Sequence, residues 1–154
     1  MADPPVASGS QDLIWCEGAI YFLGVFEGLT RWRPLLSDDG SVVFTEPLWL
    51  RQDPPNEVRQ WWESQYPAIT DDRGIREAVT AAGYSTVASF PLPAACWWDE
   101  YYRPMEDRIT SLLEQHPDDP VAAEVAEEAE LEIRMHRRYS DCYSYGFFVV
   151  HPDR

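Results

Sequence analysis

The run Asp12-Leu-Ile-Trp-Cys-Glu-Gly-Ala-Ile-Tyr-Phe-Leu-Gly24 joins a short apolar strand to an apolar helix across a Glu-Gly corner. Leu13, Ile14 and Trp15 form an unbroken apolar run, the pattern of a strand buried in a parallel sheet. From Ala19 to Leu36, the residues Phe22, Phe26, Leu29, Trp32 and Leu36 recur at three- and four-residue steps, which predicts one amphipathic helix. Ser37-Asp-Asp-Gly40 carries the turn chemistry to stop it. Ser41–Glu46 is then β-branched and aromatic, a second strand that Pro47 should end because proline donates no ladder hydrogen bond. A strand, a helix and a strand in this order make a right-handed parallel crossover. Ligands of open α/β sheets collect at the carboxyl ends of such strands, so Glu17-Gly18 marks a candidate site.

The remainder of the chain extends the same plan. After Asp53-Pro-Pro55, Glu57–Gln65 reads as a short helix with Trp61 and Trp62, and Asp71–Ala82 as another, acidic at its start and stopped by Gly83. Tyr84–Leu92 alternates loosely and reads as a third strand. Two helical segments follow, about Ala95–Gln115 and about Val121–Tyr139; the second places its acids early and its arginines late, complementing the helix dipole. Tyr145–Val150 is a fourth strand. The order β-α-β-α-α-β-α-α-β predicts an α/β fold with a mixed sheet. Residues 1–11 read as a flexible leader.

Composition narrows the partners. A 154-residue chain that is 45% hydrophobic suits one domain with one packed core. A net charge of -15 repels nucleic acid and anionic membranes, so neither is expected as a partner. All 12 cationic residues are arginine, which excludes Schiff-base or general-base chemistry by lysine. Cys16, Cys96 and Cys142 are odd in number and widely spaced, so neither a disulfide framework nor a zinc site is expected, and a cytoplasmic location fits best. His116, His136 and His151 show no metal-pair spacing. No run approaches the roughly 18 apolar residues of a membrane span, and the N-terminus lacks the basic start and apolar stretch of a signal peptide.

Several separated motifs carry a resemblance. D-L-I-W-C-E-G-A-I-Y, then G-L-T-R-W-R-P-L-L, then a Gly-led strand ending T-E, are followed by Tyr66-Pro67, Ala82-Gly83-Tyr84, Cys96-Trp97 to Tyr101, and Tyr145 to Phe148. In this order they resemble the second half of class I, Rossmann-like S-adenosylmethionine-dependent methyltransferases, in a bacterial small-molecule branch. The resemblance covers roughly residues 12–151 and implies the last four strands of a partial methyltransferase sheet, with a helical insertion before the final strand. On it, residues 12–154 are the C-terminal part of such a domain. It also implies three further strands, a glycine-rich G-x-G loop and a ribose-binding acid; the eight glycines here contain no G-x-G.

The resemblance implies S-adenosylmethionine as cofactor, with Cys16, Glu17 and Gly18 beside it and Gly18 leaving room for the ligand. Glu17 also reads as a residue in the first turn of the next helix, where a carboxylate favours the dipole. Cys16 itself reads as a small buried residue rather than a nucleophile. Tyr21, Glu46 and Trp49 would face the cleft at the strand ends, with Glu17 and Glu46 the candidate catalytic bases for an acceptor of low acidity. Trp97, Trp98, Tyr101 and Tyr102 form the densest aromatic cluster. They suit an acceptor-binding cover that excludes water or holds a cationic or planar substrate, and equally suit core packing or an oligomer interface.

Two functions follow. One is a small-molecule methyltransferase, whole or truncated, with a small methyl acceptor as its partner. The other is a catalytically inactive methyltransferase remnant serving as a binding or oligomerisation module, because an apolar strand lacking a neighbour would pair with a second copy or a partner chain.

Overall fold

The parallel pairing of the first two strands frames the molecule. In the computed structural model, which describes residues 4–153, β1 (Gln11–Cys16) lies parallel to β2 (Leu36–Trp49), from Leu13 against Ser41 to Cys16 against Phe44. A two-residue β3 (Thr70–Asp71) continues that side at the far end of β2. β4 (Tyr84–Pro91) and β5 (Tyr143–Pro152) complete a sheet of order β1-β2-β5-β4, with β5 antiparallel to both neighbours. All four expected strands are present, and the sheet is mixed.

Three local expectations are corrected. The connection from β1 to β2 is not one helix: Ile20–Phe22 and Arg33–Leu35 are 3-10 turns on either side of α1 (Val25–Trp32). Gly24, at φ +83°, interrupts the helical path between the first turn and α1. Nor is Ser37–Gly40 a turn, because β2 already begins at Leu36 and its register with β1 shifts between Gln11 and Leu13. Gly40 permits this course, since a Cβ there would sit 2.7 Å from the Gln11 carbonyl oxygen. Pro47 does not end β2 either; it lies opposite Tyr145 of β5, between the last residue paired with β1 and the first paired with β3. A residue without an N–H is tolerated where the strand has a neighbour on one side only.

Of the stretch read as a leader, residues 1–3 lie outside the described residues. Gly9 and Ser10 are tied down, their N–H groups donating to the carbonyls of Pro34 and Leu35 at 3.0 Å each.

Helices cover one sheet face completely. Ile20, Leu29 and Trp32 of the crossover pack with Ile75 and Val79 of α3 against Val42, Phe44, Phe148 and Val150. Each of these side chains contributes about 1.5–3 kcal/mol by leaving water. Between the strands, α2 (Asn56–Gln65) precedes α3 (Asp72–Ala81), whose N-cap Asp71 accepts from the Gly74 N–H at 2.9 Å.

The other face is covered only in part. α4 (Ala94–Trp97), a π-helical turn (Trp98–Tyr102) and α5 (Arg103–Gln115) run on continuously, and α6 (Pro120–Tyr139) packs against them through Ile109, Ala126 and Ile133. α6 is capped by Asp119, which accepts from the Val121 N–H at 2.9 Å. Beyond this cover the sheet is open: Leu13 is 49% and Trp15 57% exposed. β1 stands at the sheet edge among the described residues, as expected for an apolar strand lacking one neighbour, although its pattern suggests burial. No described helix is long and apolar enough to cross a membrane.

Candidate active site

The corner at the end of β1 is held by two hydrogen bonds. Gly18 adopts φ +58°, a conformation that side chains resist, and its N–H donates to Thr45 Oγ1 of β2 at 2.7 Å. The Trp15 indole N–H donates to Glu17 Oε1. Together they fix the Glu17 carboxylate at the rim of a cavity of about 460 Å³, at the carboxyl ends of β1 and β2.

Fourteen residues line this cavity; eight are aromatic, and the only charged ones are Glu17 and Glu132, so the space is apolar-walled and anionic. Trp97 is its centrepiece, stacked on Tyr145 (5.4 Å between ring centroids) and on Tyr102 (5.8 Å), with Tyr101 edge-on at 6.4 Å. The π-helical turn explains this grouping: its wider i to i+5 repeat aligns Trp97 with Tyr102, which a regular helix would offset. The Trp97 indole N–H donates to Ser144 Oγ at 3.1 Å, which anchors the ring to β5. Trp61 and Trp62 of α2 close the opposite side, Trp62 meeting Tyr143 edge-on at 5.1 Å.

Burial sets the electrostatics. The Glu132 carboxyl is raised above the usual range by desolvation, opposed by hydrogen bonds from the Tyr102 and Tyr101 hydroxyls. The Tyr102 hydroxyl lies 3.3 Å from Glu132 Oε1. Tyr101 is pushed up to about 12, chiefly by burial, and burial likewise raises Tyr145. These phenols remain protonated donors at neutral pH. Behind the wall lies His136, its ring tilted against Trp97 at 4.7 Å and against Tyr102 at 4.8 Å. It is 1% exposed, neither ring nitrogen is hydrogen-bonded, and burial pushes its pKa down to about 4.

Of the residues singled out from sequence, the cavity brings together Glu17, Gly18, Tyr21, Trp97, Tyr101 and Tyr102. Four others lie outside its wall. Cys16 is buried at the end of β1 and borders a separate cavity with Trp32 and Leu35. Glu46 is on the helix-covered face, 3% exposed, where Tyr66 donates to it at 2.6 Å. Trp49 packs edge-on to Trp62 at 6.5 Å. Trp98 packs beside the wall, partly buried against Tyr102 and His136, with the Arg137 guanidinium 4.9 Å from its ring centre. Sequence reasoning missed Glu132, Thr45 and the Trp61-Trp62 pair as wall residues. The tryptophan doublet was a usable signal, whereas Glu132 is hidden in an acidic helix and Thr45 follows only from register. Among the described residues no group of three or more His, Cys, Asp or Glu gathers as metal ligands.

No model of a protein family matches the chain. An uncharacterised Escherichia coli protein, YjhP, is 27% identical over 148 residues, spanning 94% of this chain and 59% of its own length. The crystal structure of YjhP superposes with a TM-score of 0.78 at 25% identity, covering 98% of this chain and 62% of that one. A Geobacter sulfurreducens S-adenosylmethionine-dependent methyltransferase, solved with S-adenosylhomocysteine, gives 0.78 at 21% identity, covering 96% of this chain and 60% of that one. A comparable enzyme from Thiobacillus denitrificans, with the same ligand, gives 0.78 at 19% identity. The chain thus spans about 60% of the length of the relatives it matches. With its sheet order and crossover, the chain shares the α/β fold of these S-adenosylmethionine-dependent methyltransferases.

Proposed function

We propose that this chain is the acceptor-binding, C-terminal part of an S-adenosylmethionine-dependent methyltransferase acting on a small molecule. The observation that carries the reading is the aromatic cavity opening beside the Glu17-Gly18 corner at the carboxyl ends of two parallel strands. Its volume of about 460 Å³ suits a small ligand. The solved methyltransferases of this fold that hold S-adenosylhomocysteine support the choice of cofactor.

The residues present fit one end of that cofactor. A Cβ at Gly18 would meet nothing within 4 Å, so the backbone corner leaves open space for a ligand, and the Glu17 carboxylate beside it suits a positively charged sulfonium. When bound, the cofactor supplies an electrophilic methyl group for direct displacement. The chain's own part is to orient the acceptor and exclude water. Trp97, Tyr101 and Trp62 form the excluding wall, while Glu17 is the carboxylate at the rim able to take a proton from an acceptor of low acidity. Calorimetric titration with S-adenosylmethionine tests the reading: micromolar-range saturable binding supports it, and no saturable heat opposes it.

A second reading has its own observation. The exposed Leu13 and Trp15, on a strand with a neighbour on one side only, suit an assembly module that pairs with a second copy or a partner chain.

A further inference from the structure

From the composition of the cavity wall we infer that its ligand carries a small organic cation, an alkylammonium group, seated against the aromatic faces and Glu132. Three features converge on a cation. The first is the ring count: Trp61, Trp62, Trp97, Tyr101, Tyr102 and Tyr145 are wall residues, and the faces of such rings attract a positive charge. The second is the charge of the wall, where the two ionisable acids, Glu17 and Glu132, meet no arginine or histidine.

The third feature is the treatment of Glu132. It is half-buried, so its carboxylate loses hydration, and the charged form needs a positive partner. The arginines on its own helix are committed elsewhere: Arg134 pairs with Glu130 at 3.3 Å and Arg137 with Glu106 at 2.7 Å. What reaches Glu132 from the chain is the hydroxyl of Tyr102 and that of Tyr101, donors that hold a carboxylate without cancelling its charge. A wall of this kind rejects anions and carboxylates. The chain's net charge of -15 adds a field that draws cations toward the opening.

The inference rests on the proposed function only for what happens to the ligand, not for its binding. S-adenosylmethionine itself carries a sulfonium and an α-ammonium, so the positive charge has two sources, the acceptor's ammonium or a cationic group of the donor. The experiment separates them.

The test is calorimetric titration of the chain with choline and with its neutral carbon isostere, 3,3-dimethylbutan-1-ol. Choline is expected to bind at least about tenfold more tightly. Glu132→Gln should reduce that preference about fivefold or more while leaving the weak binding of the alcohol unchanged, and Tyr101→Leu, at an exposed ring, should reduce it severalfold. Circular dichroism confirms that each variant is folded; if one is not, the choline-to-alcohol ratio of the unaltered chain still decides. Equal affinity for the two probes overturns the inference. Displacement of choline by S-adenosylmethionine, with Glu132→Gln weakening S-adenosylmethionine as much as choline, also overturns it, assigning the seat to the donor. A choline preference without any binding of S-adenosylmethionine leaves the cation site standing and removes the methyltransferase reading; the reverse outcome does the opposite.

Discussion

The hydroxyl of Tyr66 donates to Glu46 Oε1 at 2.6 Å, while Glu46 Oε2, equally buried, has no hydrogen-bond partner among the described residues. One bond therefore supports a carboxyl group at the carboxyl end of β2. Tyr66→Phe removes it and leaves a buried polar group wholly unpaired, at a cost of about 1–3 kcal/mol. The midpoint of urea unfolding should fall without a change in slope.

Glu46 and His136 make opposite contributions to pH dependence. Burial pushes the Glu46 carboxyl from 4.5 up to about 7, against the lowering effect of the Tyr66 bond. The folded state then holds a proton that the unfolded state releases, so this contribution is complete below about pH 4.5 and is lost as pH rises through 7. His136, pushed down from 6.5 to about 4, behaves inversely: its contribution is complete above pH 6.5 and is lost as pH falls through 4. Each is on the order of 3 kcal/mol, and the two nearly cancel between pH 4.5 and 6.5. Glu46→Gln should unmask a stability that rises with pH across this range, and His136→Phe one that falls. Unfolding midpoints at five pH values for each variant check the signs.

Thr45 ties the Glu17-Gly18 corner to β2 by accepting the Gly18 N–H at 2.7 Å. Thr45→Val keeps the shape and removes the acceptor, with an expected loss of about 1–2 kcal/mol in thermal or urea unfolding. Because the bond also sets the rim of the cavity, ligand affinity should weaken with it. A variant of unchanged stability would show that the corner is held by other contacts.

Much of this arrangement was legible in the sequence, and the failures have physical causes. β4 and β5 were readable because β-branched and aromatic residues fill segments bounded by Gly83, Pro93 and the end of α6. The apolar steps from Phe22 to Leu36 concealed the break at Gly24, since periodicity reports which face is apolar and not whether the backbone stays helical. Asp38-Asp39-Gly40 has turn composition but lies in a strand, where the close approach of the Gln11 carbonyl requires glycine. At the site, the aromatic cluster was visible, but not that Tyr102 would line the cavity while Trp98 packed beside it; that depends on the π-helical turn. Glu132 could not be distinguished from its acidic neighbours on α6, because only tertiary packing gives it a wall position.

The open side of β1 bears on assembly. Leu13 and Trp15 present apolar surface beside a strand edge that carries no lysine or proline, its one charge, Asp12, lying near the start of the strand. The chain is expected to show a concentration-dependent mass in light scattering, and Leu13→Lys with Trp15→Lys should restore the monomer mass. A monomer mass at all concentrations in the unaltered chain would remove the assembly reading.

The proposed function requires the donor methyl to lie between the Glu17-Gly18 corner and the Trp97-Tyr101 wall. Saturation-transfer NMR with S-adenosylmethionine carbon-13-labelled at its methyl group measures this directly. Irradiating the aromatic protons should produce a strong difference signal at the labelled methyl, reduced severalfold in Tyr101→Leu. No transfer to the methyl, or an equal signal in the variant, would contradict it.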